Sequence, residues 1–226
     1  MSLNELVAAA IAGEMKAVGR LARSPHRAVA NALADVALRT RSVTVAQRAA
    51  YVLARRTKDP RAIAALARLL REGDPRRESC LETAALALAA RKEPAALVAA
   101  VACSRALKPG GRPHFFLIET LANRTERDRT VRESAAVIER MLEVAESRVD
   151  ERSDAVWALF RIAQPRTTPR LIRLLRDRDT YVRDTAARAL VRIGRPDAIA
   201  AVTSFLERCK DAELVTELRT ALAKRR

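Results

Sequence analysis

The chain has 226 residues, of which 49% are hydrophobic and only 3% are aromatic. This apolar content excludes an intrinsically disordered chain, and the presence of only six Gly residues argues against a turn-rich β sandwich or barrel. The formal net charge of +16 favours an anionic partner such as an acidic protein, nucleic acid or an anionic membrane surface.

The first elements are two helices, predicted near residues 3–22 and 26–40. The short apolar run Leu6–Ala12 follows Glu5 rather than a basic segment, so its periodicity indicates an ordinary amphipathic helix and not a secretory leader. No uninterrupted apolar run reaches the roughly 18–20 residues needed to span a bilayer. We therefore expect a cytoplasmic protein with no transmembrane segment.

Five short apolar helix cores follow, and their starts are separated by 35, 33, 38 and 31 residues. Each core is followed by a turn, which usually contains Pro, and then by a second apolar helix. A Pro near the start of a helix costs no hydrogen bond, because the N–H groups there have no partner within the helix. A final helix is predicted near 212–223. This repetition predicts an all-α chain of helical pairs. The cores begin at Ala49, Ala84, Leu117, Ala155 and Ala186.

Two segments interrupt the regular pattern. Lys108–Pro113 contains two Gly and two Pro, which predicts a longer loop between repeats. The alternatives are a break in the array and a mobile basic loop that contacts a ligand through Lys108 and Arg112. The segment Val131–Ser147 is expected to form one long or irregular helix.

The stretch Asp177–Val202 has the most specific pattern in the chain. Its acidic turn is followed by Val182-Arg183, an Ala-rich helix, a Gly-x-Pro turn at Gly194–Pro196 and a second helix. This order resembles a HEAT repeat of the subtype called phycobilin-lyase-like. The resemblance implies that residues 1–226 form one right-handed α-solenoid of about six HEAT-like helical pairs plus a capping helix.

The resemblance also implies roles for the residues of this turn. In HEAT stacks an arginine after Val usually pairs with an acidic turn residue of a neighbouring repeat, which the planar guanidinium suits. We therefore expect Asp177, Asp179 and Arg183 to join repeats rather than to bind a ligand.

Arginines on the second helices are candidates for partner binding, because those helices line the concave face of HEAT proteins. They alternate with apolar pairs at helical spacing, which places them opposite the buried face. The second helices at 94–105 and 197–208 offer mostly Ala, Ser and Thr there, so the basic ridge is interrupted. The candidates are Arg61, Arg68, Arg71, Arg170, Arg173 and Arg176.

The basic charge falls into two blocks. Residues 1–112 have a net charge of +11 and residues 151–226 of +7, while residues 113–150 have a net charge of −2. A groove for a nucleic-acid duplex would be basic throughout. Arg outnumbers Lys 37 to 6, a bias that a GC-rich genome would also produce.

No phosphate loop, dinucleotide fingerprint, nucleophile elbow or zinc signature occurs in the chain. Cys80, Cys103 and Cys209 are widely spaced, without a CxxC motif, and are predicted to be buried free thiols. The sequence therefore predicts no catalytic residue, metal or cofactor.

Three functions remain open. A non-enzymatic scaffold that binds an acidic protein partner suits the uneven charge best, with Trp157 as either a packing residue or a partner contact. Nucleic-acid binding is the alternative, because HEAT-like alkylpurine DNA glycosylases are similar in length and basic character. That family uses aromatic residues with an Asp and an Arg in the concave groove. One predicted helix here contains Asp154, Trp157 and Arg161, but it is the first helix of its pair, and the second Trp expected from the family is absent. A chromophore lyase ranks last.

Overall fold

The computed structural model describes residues 1–224, and every regular element among them is a helix. The chain divides into two compact units, residues 1–120 and 121–226. The boundary between the units falls within helix α8, which spans Arg112–Arg127. The predicted all-α architecture of helical pairs is confirmed.

Unit 1, residues 1–120, places its helices in two rows. Helices α2, α4 and α6 pack side by side in one row, and α1, α3, α5 and α7 pack side by side in the other. The small Ala side chains that fill the contacts let the helix backbones approach closely. The helices are α1 Leu3–Ile11, α2 Met15–Arg23, α3 Val29–Arg39, α4 Val43–Ala54, α5 Arg61–Glu72, α6 Glu78–Ala90 and α7 Pro94–Ala106.

The N-terminal region contains three helices rather than the two expected. The predicted helix near 3–22 is interrupted after Ile11, where Gly13 adopts a positive φ of 111°. This backbone conformation is open to Gly and strained for residues with a Cβ, so the chain turns there and begins α2 at Met15.

The Lys108–Pro113 segment is a short connection in unit 1, not a long loop. Helix α7 ends at Ala106 and α8 resumes at Arg112 after a turn in which Gly110 has a φ of 76°. Pro113 is already buried in the first turn of α8.

Unit 2, residues 121–226, is built in the same way. Helices α11, α13 and α15 pack side by side, and α12 packs against α14. The helix predicted near 212–223 is present as α15 and has the expected bounds. The helices are α9 Arg129–Glu133, α10 Ala135–Glu146, α11 Arg152–Ile162, α12 Thr168–Leu174, α13 Thr180–Ile193, α14 Pro196–Leu206 and α15 Ala212–Ala223.

Local hydrogen bonding explains the pattern of the most specific repeat. The Asp179 carboxylate accepts a hydrogen bond from the backbone N–H of Val182 and so caps α13. Gly194 ends the same helix in the left-handed conformation, and Pro196 occupies the first turn of α14, where no N–H is needed.

The segment Val131–Ser147 is divided into two helices. The Ser134 hydroxyl accepts a hydrogen bond from the backbone N–H of Val137, so it caps α10 and separates it from the five-residue α9. Asp128 caps α9 in turn through the N–H groups of Thr130 and Val131. Two side-chain caps six residues apart explain why one long helix does not form.

Two arginines that flank α6 hold the loops of the preceding helical pair. Arg77 donates hydrogen bonds to the carbonyl oxygens of Ala37, at 2.9 Å, and Thr40, at 2.5 Å. Arg91, with a side chain only 4% exposed, donates to the carbonyls of Arg56 and Thr57 at 2.8 and 3.0 Å. Each guanidinium thus satisfies backbone acceptors that a helical turn leaves open.

The cysteines differ in their surroundings. Cys80 and Cys103 are buried free thiols, as predicted, whereas Cys209 is only half-buried. Burial raises the pKa of Cys80 to about 11, against a weaker opposing effect of Arg77. At neutral pH the Cys80 thiol is therefore protonated and a poor nucleophile.

Replacing Arg91 with Ala is expected to lower the free energy of unfolding by about 2–4 kcal/mol, because two carbonyls lose charge-assisted hydrogen bonds in a buried site. Urea denaturation followed by circular dichroism measures the change. Lys92→Ala, an exposed neighbour, is the control and should stay within about 0.5 kcal/mol of the parent protein. An Arg91→Ala variant as stable as this control would refute the structural role.

Thiol labelling at pH 8 is expected to modify Cys209 first. Cys80 and Cys103 are expected to react only at the rate at which local or global unfolding exposes their buried thiols. A maleimide reagent with mass-spectrometric readout identifies each site. In guanidinium chloride all three thiols should react at similar rates. Native-state labelling of Cys80 as fast as Cys209 would contradict the burial described above.

Candidate functional site

Arg68, a predicted partner-binding residue, is held by two carboxylates within unit 1. Its guanidinium forms an ion pair with Asp35 of α3, and its Nε lies 3.5 Å from the Glu72 carboxylate one turn along α5. The side chain is 29% exposed. Arg68 therefore links two adjacent helices of one row, and its charge is already balanced.

Arg170 and Arg173, on α12, are paired in the same way in unit 2. Arg170 makes a two-pronged contact with Glu146 of α10, at 3.0 and 2.5 Å, and an ion pair with Glu139. Arg173 donates to Glu146 at 2.9 Å. The hydrogen bond from Arg170 is the largest effect that lowers the pKa of Glu146; Arg173 adds to it and burial opposes it.

Four other candidates form no ion pair with any residue in 1–224: Arg61, Arg71, Lys108 and Arg176. Burial raises the pKa of the Cys103 thiol on α7, and the positive charge of Arg71 opposes this rise more weakly. Arg176 lines a cavity of about 740 Å³ in unit 2, together with Arg183.

The exposed face of α7 is almost entirely apolar. Ala95, Val98, Ala102 and Ala106 are exposed along one side of the helix, and Val98 is 63% exposed. Arg105 is the only charged residue on this side of α7. Helix α7 packs against α5, which contributes Arg61 and Arg71 to the same row. The apolar strip and these unpaired cations therefore lie on two helices that pack side by side in unit 1.

Of the three turn residues predicted to join repeats, Asp177 contacts another helix, whereas Asp179 and Arg183 form hydrogen bonds within their own turn. Asp177 pairs with Arg152 of α11 at 2.5 Å. Burial alone would raise the pKa of Asp177, yet the N–H of Asp179 and the Arg152 guanidinium hold it below its ordinary value. Arg183 donates instead to the carbonyls of Asp177 and Arg178 in its own turn, at 2.9 and 3.0 Å.

Arg112, at the start of α8, is paired rather than free. Its Nε lies 2.7 Å from the Glu82 carboxylate on α6, and its guanidinium lies over the Phe116 ring at 6.0 Å. Because 63% of the side chain is exposed, this ion pair contributes little to stability. Arg112 remains accessible to a partner, in contrast to Arg68.

Trp157 lies at the margin of the buried stripe of α11 and packs within unit 2. Its ring stacks on Phe160 with a centroid distance of 4.9 Å, and the Arg161 guanidinium lies 5.5 Å from its centroid. Arg161 also forms an ion pair with Glu126 at 3.4 Å.

The pKa of Asp154, on the same helix, is raised by burial and, as a smaller effect, by the Glu151 carboxylate. The three glycosylase-like residues share α11, but the Trp157 ring is already in contact with Phe160 and Arg161.

The sequence interpretation overlooked the α7 face. It treated the Ala-rich second helix at 94–105 as a gap in the basic ridge, although four apolar residues spaced by three or four positions marked an exposed strip.

Within residues 1–224, no helix is long and apolar enough to cross a membrane. No three His, Cys, Asp or Glu side chains in the same residues are grouped so that they could hold a metal ion.

Comparison with solved structures supports the helical-repeat fold. One engineered protein is 21% identical over 86% of this chain and 95% of its own, with a TM-score of 0.53. A second engineered protein is 20% identical over 99% of this chain and 98% of its own, with a TM-score of 0.52. At these identities the likeness concerns the fold alone. No curated protein matches the chain.

The family comparison agrees with the pattern at Asp177–Val202. The family model for HEAT repeats matches residues 134–223, which include that stretch and the caps at Asp179 and Gly194. The phycobilin-lyase-like subtype stays a prediction. Residues 134–223 are therefore similar to HEAT repeats, in the stretch that the family model matches.

Proposed function

We propose that this protein is a non-enzymatic repeat scaffold that binds an acidic protein partner on the second row of helices in unit 1. The observation that carries the proposal is the exposed apolar strip of α7, formed by Ala95, Val98, Ala102 and Ala106, next to unpaired cations. We call this surface the α7 strip.

The chemistry of the α7 strip favours an amphipathic acidic helix as the partner segment. A helix that lays apolar side chains along a groove is a common mode of recognition. Its carboxylates would then meet Arg71 and Arg61 of α5 and Lys108 after α7, which lack carboxylate partners among residues 1–224. Burying apolar surface such as Val98 would supply affinity, and the cations would supply orientation and faster association.

The paired arginines are a weaker basis for the same function. A partner that bound Arg68 or Arg170 would first have to replace the carboxylates of Asp35 or Glu146. The exchange of one carboxylate for another brings little net free energy. For this reason we place the partner site on unit 1 and not on the arginines of α12.

Nucleic-acid binding remains the second candidate, favoured by the net charge of +16. The chain supplies little for base stacking, because aromatic residues make up only 3% of it and Trp157 already stacks on Phe160. Duplex binding would depend on phosphate contacts, and its affinity would fall with salt at a log–log slope of about −0.9 per contact.

A labelled peptide tests the α7 strip. The probe is a helix of about 16 residues with Leu on one face and Glu elsewhere, compared with a peptide of the same composition in scrambled order. Fluorescence anisotropy in about 0.1 M salt is expected to show tighter binding of the amphipathic peptide. Val98→Glu should weaken binding at least about tenfold, because it places a carboxylate in the apolar strip, and Arg71→Gln should weaken it a few-fold.

Arg173→Gln is the matched control, since Arg173 already pairs with Glu146 in unit 2. This variant should bind the peptide within about twofold of the parent protein. Circular dichroism confirms that each variant retains its helices. Equal binding of the two peptides, or a loss on Arg173→Gln but not on Val98→Glu, would overturn the proposal.

A further inference from the structure

A shallow cavity of about 640 Å³, widely open to solvent, lies in unit 1 between the loop that joins α2 to α3 and the loop that joins α4 to α5. Its lining contains five cationic side chains and one carboxylate. We call it the basic cavity. The charged residues are Arg27, Arg55, Arg56, Lys58, Asp59 and Arg61.

The single carboxylate is fully engaged by its own loop. Asp59 Oδ2 lies 3.4 Å from Arg56 Nε, and Oδ1 accepts a hydrogen bond from the backbone N–H of Arg61 at 3.0 Å. Asp59 therefore balances Arg56 and shapes the turn. The other four cations of the basic cavity form no ion pair with any residue in 1–224. Of these four, Arg55 donates a hydrogen bond to the Tyr51 hydroxyl at 2.9 Å, which leaves its positive charge without a carboxylate partner.

The loops that present these cations are anchored. The buried Arg91 guanidinium holds the carbonyls of Arg56 and Thr57 from the next helical pair. On the other side, His26 Nδ1 accepts a hydrogen bond from the backbone N–H of Ala28 at 3.1 Å. A site whose backbone is fixed before binding loses less conformational entropy when a ligand arrives.

We propose that the basic cavity binds an oligophosphate, a short run of adjacent phosphate groups. Four cations without a carboxylate partner around one space favour a ligand of high negative charge density. Guanidinium groups bind phosphate oxygens through paired hydrogen bonds, and Lys58 adds a point charge. The site lies on different elements from the α7 strip, apart from Arg61 at the start of α5, and does not rest on the proposed function.

The lining distinguishes an oligophosphate from a nucleotide or a duplex. Apart from His26, the residues around the basic cavity have no aromatic ring, so a base would find little to stack on. A duplex distributes its phosphates along the helix axis, at about one charge per 1.7 Å, rather than concentrating them in one cavity. The phosphate run itself is therefore the recognised group.

Isothermal titration with sodium tripolyphosphate at pH 7.5 and about 50 mM salt tests this site. The parent protein is expected to show one saturable site per chain. The double variant Arg27→Gln with Lys58→Gln should raise the Kd at least about tenfold, because it removes two of four unpaired cations. Both side chains are exposed, so the helices should be unaffected.

Arg41→Gln with Arg76→Gln is the matched control, because it removes the same charge from exposed loops after the C-terminal ends of α3 and α5. It should change the Kd less than about threefold. No saturable binding, or an equal loss in the control variant, would overturn the proposal. The peptide affinity of the Arg27/Lys58 variant should stay within about twofold, so failure here is separable from failure of the scaffold function.

Two further titrations compare ligand classes. ATP should bind no more tightly than tripolyphosphate, because the basic cavity has no platform for the base. A short DNA duplex should not compete with tripolyphosphate at equal phosphate concentration. A duplex that displaces tripolyphosphate at lower phosphate concentration, and that loses affinity on Arg27→Gln with Lys58→Gln, would reject the oligophosphate in favour of nucleic acid.

Discussion

The whole structure depends on the need of each helical pair to bury its apolar face against the next pair. A two-helix unit cannot enclose a core of its own, so stability comes from contacts between neighbours in a row. In unit 1 these contacts are filled by Ala and Leu side chains such as Ala49, Ala50, Leu66 and Leu88, all of them almost completely buried. Every other feature of the surface is arranged around this stacking.

Stacking also determines how the arginines are used. Arg77 and Arg91 satisfy carbonyls of the preceding pair, and Arg68 and Arg170 pair with carboxylates on the adjacent helix of their row. A large formal charge can therefore coexist with a surface on which many cations have intramolecular partners. The charge that remains for ligands is concentrated where such partners are missing.

Unit 1 contains two such places, with different chemistry. The α7 strip combines exposed apolar side chains with nearby cations, which suits an amphipathic acidic segment. The basic cavity offers charge with almost no apolar or aromatic surface, which suits phosphate groups. Arg61, at the first position of α5, lines the basic cavity and belongs to the row that carries the α7 strip.

The sequence by itself determined the helices and their caps, because these depend on residues three or four positions apart. The repeated cores, the Asp179 cap, the Gly194 turn and the last helix were all predictable, and the missed breaks at Gly13 and Ser134 are also local features. Only the tertiary structure decided which arginines are free. Asp35 and Arg68 are 33 residues apart, and Arg91 reaches carbonyls 34 and 35 residues before it. Such partners are set by which helices stack together and by the direction of each side chain, and periodicity alone specifies neither.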